Sequence, residues 1–132
     1  MVRKEVRDML EVPTEIVKLL MEIGYIAVGQ GLYRESRAIF EALRRARENS
    51  EYPLIGLAVC ELNAGQGDVA LKLLEEAENL NSENYLIKSF KGLAYKVMGE
   101  IFKAKEVLED VLSNTEQKDA LNLARALLDE IS

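Results

Sequence analysis

The sequence contains no histidine, no tryptophan, one cysteine and two prolines among its 132 residues. Without histidine the chain lacks the commonest general base and the commonest metal ligand. No phosphate loop, dinucleotide fingerprint or nucleophile elbow stands in its place. Gly65-Gln66-Gly67 follows no strand pattern and reads as a turn between helices. The carboxylate pairs Glu75-Glu76 and Glu109-Asp110 fall on exposed faces of helical patterns, where they are solvated charge. The expectation is a protein that is not an enzyme and holds no metal or cofactor. Cys60 has no second cysteine to pair with, which suits a reducing compartment. It sits in Leu57-Ala58-Val59-Cys60, the setting of a small buried thiol rather than a nucleophile. No apolar stretch approaches the roughly 18 residues that span a bilayer. Met1-Val2-Arg3-Lys4-Glu5-Val6 carries charge where a signal peptide needs its apolar segment, so the expected location is cytoplasmic. Basic charge is also scarce, 17 residues against 23 acidic ones, for a net charge of -6. The densest basic run, Arg44-Arg45-Ala46-Arg47, is flanked by Glu41 and Glu48 and reads as a solvated helix end. That balance argues against nucleic acid and against an anionic membrane surface as partners.

What is present is apolar, helical and periodic. Apolar residues make up 48% and charged residues 30%, enough for one domain with a packed core. No strand-type alternation or Asn-Gly hairpin signal occurs, so the fold class is all-α. Gly31, Gly65 and Gly99 are spaced by 34 residues. Seven residues before each stands a small residue, Gly24, Ala58 or Gly92. Five after each stands another, Ser36, Ala70 or Ala104; nine after each stands a large apolar one, Phe40, Leu74 or Leu108. Such a period describes a stack of helix–turn–helix units. A first helix ends at a glycine able to take left-handed dihedrals, and a second returns antiparallel to it. Small residues let the two backbones approach closely, and the large one fills the space beside them.

The boundaries are then repeat one at 17–50, repeat two at 51–84 and repeat three at 85–118. The first helix extends back to about Thr14, with Pro13 as a start signal, and Pro53 sits in the first turn of its own helix. Residues 119–132 predict a capping helix with Leu121, Leu123, Ala124, Leu127, Leu128 and Ile131 apolar. Residues 1–12 are expected to be a loose arm or a short helix with Val6, Met9 and Leu10 on one side. Ala70 is placed at a close helix–helix contact and Leu74 between helices.

These residues resemble the tetratricopeptide pattern over positions 17–118. Leu80-Asn81-Ser82-Glu83-Asn84 is similar to its inter-repeat turn, with Ser82 in place of proline. The departures are the first-helix tryptophan, replaced by Leu20, Leu54 and Lys88, and the absent inter-repeat proline. Within that class, three repeats and a cap in an acidic chain resemble the small chaperones of bacterial type III secretion. Glu22 to Gly31, followed by Glu35-Ser36-Arg37-Ala38-Ile39-Phe40, is most similar to the needle-subunit chaperones and also resembles the translocator chaperones.

The resemblance implies a groove lined by the first helix of each repeat. Its inner positions are Lys18, Met21, Tyr25, Val28 and Gly29, then Tyr52, Ile55, Val59, Leu62 and Asn63, then Leu86, Ser89, Leu93, Lys96 and Val97. The apolar or tyrosine members form the candidate partner-binding set: Met21, Tyr25, Val28, Tyr52, Ile55, Val59, Leu62, Leu86, Leu93 and Val97. A groove of that character suits the apolar face of a partner helix. The competing reading makes some of these residues core, or covers them with the arm or the cap. The family's grip on an acidic C-terminal carboxylate is not expected, because Met21, Tyr25, Gly56, Leu86 and Phe90 occupy its positions. The expected function is a chaperone that sequesters an amphipathic helix of a secretion subunit, possibly with a co-chaperone or as a homo-oligomer. The alternative is a scaffold or adaptor in another complex.

Overall fold

The computed structural model describes residues 12–131. Seven helices and no strand occur among them: α1 (Thr14–Gly29), α2 (Tyr33–Ala46), α3 (Tyr52–Asn63), α4 (Gly67–Leu80), α5 (Tyr85–Val97), α6 (Ile101–Asn114) and α7 (Lys118–Ile131). The first six form three antiparallel hairpins, α1–α2, α3–α4 and α5–α6, and α7 packs on both α5 and α6. The arm or short helix expected at residues 1–12 lies, Val12 apart, outside the described residues.

Each hairpin turns by the same chemistry. Gly31, Gly65 and Gly99 take φ of 75°, 78° and 82°, a region that a Cβ would strain. The amides of Leu32, Gln66 and Glu100 then donate to the carbonyls of Ala27, Glu61 and Tyr95 at 2.9, 2.8 and 2.8 Å. That bond from the residue after the glycine closes each first helix as a Schellman motif.

Second helices bury matching positions: Ser36, Phe40 and Leu43 in α2, Ala70, Leu74 and Ala77 in α4, and Ala104, Leu108 and Val111 in α6. The large member of each set lies where its hairpin partner is small. A Cβ added at Gly24 would sit 2.6 Å from Phe40 Cζ, and one at Gly92 would sit 2.4 Å from Leu108 Cδ2. Ala70 and Leu74 are fully buried, as their register requires. Cys60 is buried too, its thiol donating to Ser36 Oγ at 3.4 Å; burial pushes its pKa up, which favours an inert thiol.

Without inter-repeat prolines, polar side chains clasp successive turns. Buried Glu51 accepts from Asn81 Nδ2 at 2.7 Å and from Asn84 Nδ2 at 3.0 Å. Asn84 also caps α5 by accepting from the Leu86 amide. Gln117 donates to the Glu83 carbonyl and accepts from the Tyr85 amide, both at 2.9 Å. At the other end the Arg47 guanidinium donates to the Val12 carbonyl.

Curvature follows from which helices meet. The first helices pack along the stack, α1 with α3 and α3 with α5, whereas the backbones of α2, α4 and α6 lie farther apart, with α2 and α4 bridged by the Arg44–Glu76 ion pair at 2.6 Å. A stack packed more closely on one layer than on the other bends toward the close layer. The first helices therefore line the concave side.

Candidate functional site

At 100° per residue, the inner positions of each first helix split into two directions. One direction looks across the concave face; the other looks sideways at the next first helix. Ile55 is 1% exposed and belongs to a core cluster with Ile87 and Ala94 of α5. Leu62 is buried in that same cluster, and Val28 in the one formed with Phe40 and Leu57. In the third hairpin the equivalent positions face α7: Ser89 Oγ donates to the Ala120 carbonyl at 2.8 Å, and Lys96 pairs with Glu130. Ile55, Leu62 and Val28 are thus core between neighbouring hairpins, a correction to the inner face expected from the repeat register. Met21 is half-buried against that core.

The other six predicted residues stand on the concave face: Tyr25, Tyr52, Val59, Leu86, Leu93 and Val97. Tyr52 is 50% exposed and Tyr25 37%. Val59, Leu86 and Leu93 are half-buried, and Val97 is exposed. Phe90, one turn from Leu86 and Leu93, shares their side of α5 and is half-buried. It extends the strip, although the repeat register did not select it. The strip from Tyr25 to Val97 carries no charge; Lys18 and Glu22 stand exposed at one end, and the Lys96–Glu130 pair lies at the other.

Two local features shape the strip. The Tyr25 ring tilts against Phe40, with centroids 5.0 Å apart and planes at 59°. Burial, joined by the nearby Cys60 and Tyr52, pushes its phenol up to about 12. The second feature is a cleft of about 550 Å³ between the starts of α1 and α3. Val17, Met21, Tyr52 and Pro53 supply its apolar lining, and Lys18, Glu22 and Arg47 its rim. A volume of that order admits apolar side chains of a partner.

The positions that would grip a carboxylate hold Met21, Tyr25, Gly56, Leu86 and Phe90, and none is a cation. Gly56 serves packing instead, because a Cβ there would meet the Phe40 ring at 2.3 Å. Among the described residues, no three metal-type ligands gather, and no helix is long and apolar enough to cross a membrane.

The sequence matches no family model and no curated protein. Its fold, however, matches solved structures along nearly the whole chain. The translocator chaperone SycD of Yersinia enterocolitica type III secretion superposes with a TM-score of 0.74 at 16% identity, covering 92% of this chain and 94% of that one. SycD has also been solved with a peptide of the translocator YopD. PcrH, in complex with the chaperone-binding region of PopB, gives 0.72 at 15% identity over 92% and 98% of the two chains. The first tetratricopeptide domain of Spaghetti, bound to an HSP90 peptide, gives 0.68 at 21% identity over 92% and 98%. The chain has the all-α, tetratricopeptide-like fold of these proteins.

Proposed function

We propose that this chain is a non-catalytic cytoplasmic chaperone that holds an apolar or amphipathic segment of a type III secretion subunit against its concave face. The observation that carries the reading is the uncharged strip of Tyr25, Tyr52, Val59, Leu86, Phe90, Leu93 and Val97. Water alone does not favour an apolar strip along the concavity of a curved stack, whereas an apolar segment laid across three helices removes it from water. Tyrosine and phenylalanine add large contact area at small rotamer cost. Of the two partner types that the sequence resembles, a translocator subunit is placed ahead of a needle subunit. The support is that the matched SycD and PcrH structures carry segments of YopD and PopB. An adaptor for acidic C-terminal tails is disfavoured, since the concave face offers no cation where such a grip needs one.

The test is co-expression with the secretion subunits of the same genome, followed by affinity purification. One translocator subunit should co-purify. Tyr52→Asp and Val97→Asp should each cut its recovery at least tenfold, since an unpaired carboxylate buried under a partner costs several kcal/mol. Both sites are exposed in the free protein, so melting should change by no more than about 0.5 kcal/mol. Leu74→Asp should unfold the chain and lose binding only for that reason. Capture of a needle subunit alone would restore the other partner type. Undiminished capture by both exposed-site variants would remove the concave face from the mechanism.

A further inference from the structure

Three turns close the hairpins, and the third is built from different residues. Val97 and Met98 precede Gly99, and Ile101 and Phe102 open the helix after it. Val97 and Met98 are 40% exposed, Ile101 41% and Phe102 87%. In the 34-residue register their counterparts are Asn63, Ala64, Gly67 and Asp68 at the second turn, and Gly29, Gln30, Tyr33 and Arg34 at the first. All of these but Tyr33 are small or polar, and the Tyr33 hydroxyl is engaged by Glu61. The turn itself does not require the change, because all three glycines take the same φ region and the same closing bond. Packing explains part of two residues: a Cβ at Gly67 would meet Met98 Cγ at 2.7 Å and Val97 Cγ1 at 3.3 Å. It does not explain Phe102, whose ring stands almost wholly in water.

The corner runs on from the concave strip. Val97 is the last residue of α5 and the last member of that strip, and Met98 lies beside it on Gly67. Helical side chains lean toward the start of their helix. As the first two residues of α6, Ile101 and Phe102 therefore project over the turn toward Val97 and Met98. Size decides what such a corner can hold. With an aromatic side chain near 200 Å², these four residues leave about 400 Å² of apolar surface open, the scale that marks contact sites on single chains. One side of a stable dimer buries about 800 Å². The corner is too small to hold a second copy by itself and has the size of an extension to a larger contact. Charge agrees: Lys96 pairs with Glu130, and Lys103 with Glu100 at 3.4 Å, so the charges flanking the corner are already matched within the chain. What it recognises is apolar.

We infer that the secretion-subunit segment seated on the concave strip continues past Val97, crosses the third turn, and lays an uncharged apolar stretch on Met98, Ile101 and Phe102. Phe102 then selects the partner by what adjoins its groove-bound segment, a role that rests on the concave-face reading. A charged stretch there is rejected, because the corner desolvates it and offers no counter-charge.

The test is co-expression of the intact chain with the secretion subunits of the same genome, and capture through a tag on the chain. Phe102→Ser should lower recovery of the bound subunit at least tenfold, and Phe102→Leu should restore most of it. Neither change should shift the thermal melt, since the ring lies outside the core. A photo-crosslinking benzoylphenylalanine placed at position 102 should label the subunit within about ten residues of the site labelled from position 97, a separation that about 33 Å of extended chain can span. Undiminished recovery by Phe102→Ser, alongside loss of capture by Tyr52→Asp, would overturn the exit over the third turn and leave the concave-face reading standing. Capture that survives Tyr52→Asp, or no capture by the parent chain, would remove that reading and the exit with it. Labelling from position 102 that reaches only a second copy of this chain would overturn the assignment of the corner to the subunit.

Discussion

Phe40 is wedged between two glycines on different helices, and Gly56→Ala tests that wedge. A Cβ at position 56 would stand 2.3, 2.4 and 2.7 Å from Cδ1, Cε1 and Cγ of the ring. Carbon atoms prefer about 3.5–4.0 Å, so the ring must retreat by about 1 Å. It cannot do so freely, because on its far side a Cβ at Gly24 would already be only 2.6 Å from Cζ, and the residue is fully buried. Overpacking of this kind costs about 1–3 kcal/mol, and a ring trapped on both sides belongs at the upper end. Alanine returns about 1 kcal/mol through better helix propensity. The net expectation is a loss of about 2 kcal/mol, or roughly 6–10 °C in Tm for a domain of this size. Gly29→Ala is the control: it lies in α1 with nothing within 4 Å of an added Cβ, so propensity alone should raise stability by about 0.5 kcal/mol. Phe40→Leu, which shortens the wedge, should recover at least half of the Gly56→Ala loss when the two are combined. Urea melts of the four proteins and the parent supply the assay. Equal stability of Gly56→Ala and the parent would refute the reasoning, and so would a double variant in which the two losses simply add.

Two further outcomes follow from polar groups. Glu51→Ala should cost about 1–3 kcal/mol in chemical denaturation, because the Asn81 and Asn84 amides lose their acceptor at a buried joint; a change below about 0.5 kcal/mol would mean that water serves equally well. Tyr25 keeps its proton more tightly folded than unfolded, its pKa rising from 10.0 to about 12. Its contribution is therefore complete below pH 10 and lost as pH climbs toward 12. Phenolate absorbance should show Tyr25 ionising last, and Tyr25→Phe should flatten the alkaline fall in stability; an unchanged alkaline limb in that variant would refute the assignment.

The hairpins were legible because their signal is periodic. Gly31, Gly65 and Gly99 mark a backbone requirement that few other residues meet, and the small and large residues around them repeat with it. The site was legible only in part. A repeat register says that Ile55 and Val59 lie on the inner half of one helix. It does not say how far that helix is rotated against its neighbour, and rotation sends Ile55 into the joint and leaves Val59 on the concave face. Phe90 was passed over for the same reason. Gly56 shares its register position with Glu22 and Phe90, so the repeat carries no sign of its role, which exists because Phe40 is larger than Leu74 and Leu108 at the matching positions. The clasp of Glu51 with Asn81 and Asn84, and the bond from the Tyr33 hydroxyl to Glu61 at 2.7 Å, join residues about 30 positions apart with no periodic signature.

Because each hairpin rests only on its neighbours, the molecule behaves as a short zipper with unequal teeth. The second and third hairpins are gripped from both sides, the third by α4 and α7, while the first meets one neighbouring hairpin among the described residues and can open without dragging the rest apart, which sets a gradient of local opening along the chain. The concave strip draws residues from α1, α3 and α5 together, so an occupant lying along it spans every joint at once. It would act as a splint, coupling segments that otherwise open one by one. Occupancy should then protect the first hairpin out of proportion to the other two, and the unfolding of the loaded protein should sharpen toward a single cooperative step.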